Sequence, residues 1–172
     1  ELTDRPVNLH EEHLDLAVRI GPLSDSMFIA RKVGEVRRII CASPAYLAKH
    51  DPPKNPGDLA KLDAITFQSL LPPQNWQFDS EQPQKVMPMR ARLIVNTAEA
   101  AIDAAIDGLG FTRVLSYQAA EAIKAGKLVP LLQEFEPAAW PVHLLYEPRA
   151  LIPQKLRAFL DFAGPRIATH MA

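Results

Sequence analysis

Residues 90–115 read RARLIVNTAEAAIDAAIDGLGFTRVL, and this stretch decides the fold class. Arg90 to Val95 reads as a strand, and Asn96 with Glu99 three residues on has the pattern of a helix capping box. Ala98, Ala101, Ile102, Ala105, Ile106 and Leu109 then recur at helical spacing. Gly108 and Gly110 end that helix, and Phe111 to Leu115 is the next strand, completing a βαβ unit. Ser116 can cap a further helix through Ala125, Gly126 closes it, and Leu128-Val129-Pro130-Leu131 supplies the strand of a second such unit. Two units in succession predict an α/β protein with a parallel sheet.

Working upstream, Leu14 to Ile20 is a largely buried strand that stops at the turn signal Gly21-Pro22, and a second strand follows from Phe28 to Val33. Arg37 to Ala42 carries the β-branched pair Ile39-Ile40 and ends at Ser43-Pro44, where Ser can cap a helix over Pro44 to Lys49 and Pro can occupy its first position. Asn55-Pro56-Gly57-Asp58 opens a short helical turn ahead of the strand Ala64 to Phe67. Gln68 to Pro88 is polar and proline-interrupted, so it reads as loop and hairpin, with Trp76-Gln77-Phe78 as a short strand. Downstream, Val142 to Tyr146 is a strand, and Leu156, Phe159, Leu160 and Ala163 mark a terminal amphipathic helix. The 16 prolines, about twice the usual share, punctuate these short elements.

The 172 residues are 48% hydrophobic and 23% charged, with Lys+Arg 19 against Asp+Glu 20, so the length suits one domain or two small lobes. The charges are mixed along the chain, which argues against a DNA-binding surface in this segment. No apolar run is long enough to cross a membrane as a helix, since even Ala98 to Ala105 is broken by Glu99 and Asp103. The single cysteine, Cys41, excludes an intrachain disulfide and fits the cytoplasm. The start Glu1-Leu2-Thr3-Asp4 reads as a piece cut from a longer protein.

Catalytic motifs are absent: there is no G-x-S-x-G, no phosphate-loop motif and no C-x-x-C. His10-Glu11-Glu12-His13 resembles a metal patch but lacks the H-E-x-x-H spacing and a third ligand, so a solvated helix turn is expected and no metal or other cofactor is assigned. Cys41 reads as a buried strand-end thiol rather than a nucleophile. Asp107-Gly108-Leu109-Gly110 follows a helix and so is not a dinucleotide fingerprint. Chemistry is expected instead where strand C-ends and helix N-termini meet, at Asn96-Thr97, where unpaired N–H groups suit a small anionic or polar metabolite. Arg19 at its strand end pairs either with such a ligand or with an internal acid. Arg113, a charge inside an apolar strand, faces either the same crevice or solvent.

Several stretches now align with a known pattern: Asp15 to Gly21, Ile29 to Val33, Cys41-Ala42-Ser43-Pro44-Ala45-Tyr46-Leu47-Ala48, Asn55 to Leu59, Trp76-Gln77-Phe78, Val95-Asn96-Thr97, Gly108 to Phe111, Ala125 to Val129 and Phe159 to Phe162. In this order and spacing they resemble the effector-binding domain of LysR-type transcriptional regulators, over nearly the whole chain. The resemblance implies a two-lobed, type 2 periplasmic-binding-protein-like α/β fold with mixed, largely parallel sheets and crossover strands, the first strand and helix of lobe one missing. Residues 1–43 would begin lobe one, 44–118 and on to about 140 would form lobe two, and 141–172 would return to lobe one.

The resemblance further implies a small effector, held between the lobes. Lobe one would supply Arg19, Gly21 and Pro22, and lobe two Phe67, Asn96, Thr97 and Thr112, with a hinge at Cys41, Ala42 and Ser43. It implies a homodimer or tetramer, contact with DNA only through an N-terminal winged helix-turn-helix, no membrane association and no enzymatic step. Family domains carry a Ser or Thr effector anchor on the helix that this chain lacks. Many members also continue Gly-Leu-Gly with small apolar residues and Leu-Pro, where this chain has Thr112-Arg113 and Leu115-Ser116. A solute-binding protein of a transporter, which shares the two-lobed plan, is the rival reading.

Overall fold

In the computed structural model, residues 9, 11–23, 27–67, 78, 89–148 and 151–171 are described. The strands are β1 (Ala17–Ile20), β2 (Ile29–Val36), β3 (Arg38–Ala42), β4 (Asp63–Phe67), β5 (Arg90–Val95), β6 (Phe111–Leu115), β7 (Val129–Leu131) and β8 (Trp140–Tyr146). The helices are α1 (Pro44–Leu47), α2 (Ala98–Ile106), α3 (Ser116–Lys124) and α4 (Gln154–Met171), with 3-10 turns at Pro56–Lys61 and Gln133–Phe135. The chain divides into two compact units: a first with Pro6–Val36 and Ala139–Ala172, and a second with Arg37–Ala138.

The second unit is built on a five-stranded sheet in the order β5-β4-β6-β3-β7. β4 runs parallel to both β5 and β6, so the first βαβ unit is present with β4 inserted between its strands. β3 runs antiparallel to β6 and to β7 and separates them, so the second βαβ unit is split in the same way. The sheet is therefore mixed, and its parallel share is smaller than expected. Five consecutive buried residues in β3 fit this central place, because both of its faces are covered. On one face, Ile39, Cys41, Ile65 and Val114 pack against Ala98, Ala101, Ile102 and Ala105 of α2 and Ala119 of α3. On the other, Ile40, Ala42, Ala64 and Phe111 pack with Tyr46, Leu59, Leu62 and Leu131.

Local signals explain most of the element ends. Ser43 Oγ accepts the Tyr46 N–H at 3.3 Å, with Pro44 in the first turn of α1, as the sequence suggests. Gly108 and Gly126 adopt φ +78° and +69° just after α2 and α3. Two caps differ from expectation. Thr97, not Asn96, caps α2, its Oγ1 accepting the Ala100 N–H at 3.2 Å. Leu115 is the residue before α3, its N–H donating to Gln118 Oε1 at 2.9 Å, while the Ser116 hydroxyl accepts the Arg37 N–H at 3.2 Å. Ser116 N–H returns a bond to Arg37 O at 2.9 Å, which ties the start of β3 to the end of β6.

The first unit holds a three-stranded sheet in the order β1-β8-β2, with both pairings antiparallel. Val142, Leu144 and Tyr146 alternate inward along β8, and Leu156, Leu160 and Ala163 give α4 a buried stripe. α4 packs on β2, where Gly164 lies beside Arg31 and Val33. Phe159, expected in that stripe, is 48% exposed because it falls one position off the buried spacing. Residue 28 precedes β2 rather than opening it, and β2 extends to Val36, with a register shift between Lys32 and Gly34. Trp76 and Gln77, the expected short strand with Phe78, lie outside the described residues, as does His10 of the acidic-histidine cluster.

Candidate functional site

β4 and β5 end in register, Phe67 beside Val95, and the chain then passes through Asn96 and Thr97 into α2. Three of the expected effector residues, Phe67, Asn96 and Thr97, are thereby gathered at one edge of the second unit's sheet, the edge at which parallel strands end and a helix begins. Asn96 is exposed, and because Thr97 supplies the cap, the Asn96 amide is not used in that role. Phe67 is half-buried against the α2 side of the core.

Thr112 is not at this edge. Its partners in register are Cys41 and Ile65, both on the α2 face, and Thr112 is fully buried there. A ligand cannot reach it without unpacking the core, so the expected cleft contact is corrected. The Thr112 Oγ1 is buried and makes no hydrogen bond. Replacing a buried hydroxyl that has no partner by a methyl of the same shape removes a desolvation cost. Thr112→Val is expected to raise stability by about 1 kcal/mol, seen as a higher thermal midpoint with ligand responses unchanged. A lower midpoint would show that the hydroxyl is satisfied in solution.

Arg19, Gly21 and Pro22 fall together at the end of β1 in the first unit. Gly21 has φ +106°, donates its N–H to Pro141 O at 3.0 Å, and a Cβ there would lie 3.6 Å from the Trp140 ring. Arg19 pairs in register with His143, whose other neighbour is Lys32, so this row of the sheet is cationic at both flanks. Cys41, Ala42 and Ser43 do not lie where the chain passes between units. The passages fall at Val36–Arg37 and Ala138–Ala139, and the three residues are buried within the second unit. The expected boundary after residue 43 is displaced for the same reason: β3 pairs with β6 and β7 and so belongs wholly to the second unit. Burial pushes the Cys41 thiol up to about 12, which leaves it a packed, unreactive group.

One cluster was only half visible in the sequence. Alternation along β3, β4 and β6 places Arg38, Thr66 and Arg113 on the same sheet face as Ile40, Ala64 and Phe111. Arg38 donates to Ala138 O at 3.3 Å, and the Arg113 guanidinium lies 5.4 Å from the Phe78 ring centroid. Glu136 sits close by, with Oε2 accepting from Arg37 at 2.9 Å. Burial, and then the charge of Arg38, lower the Arg113 pKa to about 10 against the opposing pull of Glu136. The sequence marks Arg113 as a charge in an apolar strand. Arg38 gives no such signal, because it stands at a strand start, where a charge is ordinary.

Among the described residues no three His, Cys, Asp or Glu side chains are grouped to hold a metal ion, and no helix is long and apolar enough to cross a membrane. Comparison with known proteins supplies the deciding observation: the family model "LysR substrate binding domain" matches residues 1–168. The chain belongs to that family. This LysR-type domain is 32% identical over 158 residues to the HTH-type transcriptional regulator PtxR of Pseudomonas aeruginosa, covering 92% of this chain and 51% of that protein. It is 31% identical over 173 residues to the HTH-type transcriptional regulator DmlR of Escherichia coli, covering 99% of this chain and 55% of that protein. It matches the structure of CrgA, a LysR-type transcriptional regulator from Neisseria meningitidis, with a TM-score of 0.80 at 28% identity, covering 93% of this chain and 54% of that one. The Vibrio cholerae virulence activator AphB gives a TM-score of 0.78 at 30% identity, over 92% of this chain and 53% of that one. The LysR-type domain thus spans about half the length of these relatives. Its architecture is the two-lobed α/β regulatory-domain fold with mixed sheets.

Proposed function

We propose that this chain is the effector-sensing and oligomerisation domain of a transcriptional regulator that works in the cytoplasm, binds a small anionic metabolite and catalyses no reaction. The family match over residues 1–168 carries the reading, and the convergence of Phe67, Asn96 and Thr97 at the parallel strand ends supports it. The N–H groups that open α2 and the exposed Asn96 amide suit a carboxylate, and Phe67 offers an apolar wall beside them. Arg19, Gly21 and Pro22 are the first unit's contribution to effector recognition. DNA contact falls to a separate winged helix-turn-helix, and the working form is a homodimer or tetramer. The effector then acts only by its difference in affinity between two states of that assembly. The relatives are named as regulators of transcription, which favours this reading over a transporter's solute-binding protein.

Thermal-shift titration with a panel of small carboxylates and aromatic acids tests it. The expected result is a saturable rise in midpoint for at least one acid. Its apparent affinity should fall about tenfold in Asn96→Ala, the size expected for losing a charge-assisted hydrogen bond. A panel that shifts nothing, or an Asn96→Ala variant with full affinity, would sink the strand-end site.

A further inference from the structure

We propose that Arg37 and Arg38 form a clip that holds the returning chain to the outgoing chain where the two pass between the units, so that the paired links bend as one. The links are single peptide steps, Val36–Arg37 going out and Ala138–Ala139 coming back. On the first unit's side their roots are bonded laterally, because Val36 pairs in register with Trp140 at the end of the β2–β8 ladder. On the second unit's side the outgoing chain is also well rooted. Arg37 exchanges two hydrogen bonds with Ser116, its N–H donating to Oγ at 3.2 Å and its carbonyl accepting the Ser116 N–H at 2.9 Å, and β3 begins at the next residue.

The returning chain has no such ladder. Residues 136–139 belong to no helix or strand, and Pro137 has no N–H to donate. Two side chains of the outgoing chain stand in for it. The Arg37 guanidinium donates to Glu136 Oε2 at 2.9 Å, and Arg38 donates to the Ala138 carbonyl at 3.3 Å. Consecutive residues on one chain thereby hold alternate residues on the other, one through a carboxylate and one through the backbone. Only 11% of the Glu136 side chain is exposed against 55% for Arg37, so the pair keeps strength that a fully exposed pair loses to salt. Arg38 is buried, so water competes poorly for the Ala138 carbonyl. With the clip closed, each link has lateral bonds on both sides, and bending one drags the other. With it open, a firm outgoing link and a slack returning one join the units.

The clip rests on these bonds alone; its use in relaying an effector's binding rests on the effector-sensing reading. Amide hydrogen exchange, followed by NMR without any ligand, keeps the two apart. Arg37→Ala is the cleanest variant, since it leaves the Glu136 charge in place to support that of Arg113. In it, amides at the Val36–Trp140 end of the ladder are expected to exchange about fivefold faster, the size of losing one partly exposed charge-assisted bond. Amides at the far Ile29–Tyr146 end, and those of Ile39 to Cys41 in the second unit's core, should keep their rates. Arg38→Met should loosen the same ladder end. Arg37→Ala combined with Glu136→Gln should do no more than Arg37→Ala alone, because the two changes break one bond. Unchanged exchange at Val36 and Trp140 in Arg37→Ala would overturn the clip. So would an equal acceleration at every amide, which marks a loss of overall stability only, and so would additive effects in the double variant.

Discussion

Replacing Gly110 by alanine is expected to cost about 3 kcal/mol or more of the second unit's stability. A Cβ at Gly110 would stand 2.2 Å from the carbonyl oxygen of Asp63 and 3.0 Å from its carbonyl carbon, so backbone rather than a flexible side chain blocks it. Asp63 has little room to retreat. Its N–H donates to the hydroxyl of the buried Tyr46 at 2.9 Å, and its carboxylate pairs with Arg90 at 3.3 Å and Arg92 at 3.2 Å. Relief must come from separating β6 from β4, which strains the parallel pair at Ala64–Phe111. Gly126→Ala is the control. It has φ +69° and open space around it, so only the left-handed backbone penalty of about 1 kcal/mol is expected. Urea unfolding of the two variants measures the difference. Equal losses would mean that β6 does not lie against β4 as closely as the structure has it.

Gly110 also shows where the sequence speaks clearly. Gly108 and Gly110 announce the end of α2 because helix termination is local, readable from spacing within a few residues. The Ser43-Pro44 start of α1 is legible for the same reason. Caps one residue apart are harder: Asn96 and Thr97 both have cap chemistry, and the backbone chose Thr97. What the sequence withheld is the partner of each strand. Nothing local says that β3 inserts between β6 and β7, a pairing across some seventy to ninety positions. That insertion makes the sheet mixed, buries both faces of β3 and moves Cys41, Ala42 and Ser43 into a core.

The candidate site divides along the same line. The places of Phe67, Asn96 and Thr97 in the fold were legible because each sits at a strand end or helix start that local pattern fixes. Thr112 was not, because a strand's period of two gives alternation without saying which face the helices cover. Arg113 is its neighbour on the other face, and the sequence left its two environments open; the fold placed it beside Thr66, one strand from Arg38. Two neighbours in one short strand thus took opposite faces: the Thr112 hydroxyl went into the core beneath α2, and the Arg113 guanidinium went to the face that carries Ile40 and Phe111.

Phe111→Ala is expected to remove about 3–5 kcal/mol, the upper range for a core truncation. The reason lies in its neighbours. Phe111 is fully buried and pairs in register with Ala42 on one side and Ala64 on the other, so one large ring fills the space that two methyl groups leave. Ala42 and Ala64 cannot swing in to close the hole, and Tyr46 is held through its hydroxyl by Asp63. A cavity that does not collapse costs both the lost transfer energy and the lost contacts. Phe111→Leu keeps most of the volume and should lose only about 1.5 kcal/mol. Because single domains are stable by about 5–15 kcal/mol, the alanine variant should leave the second unit marginal. Thermal unfolding of both variants decides this, and an alanine cost near that of leucine would mean that neighbouring side chains refill the site.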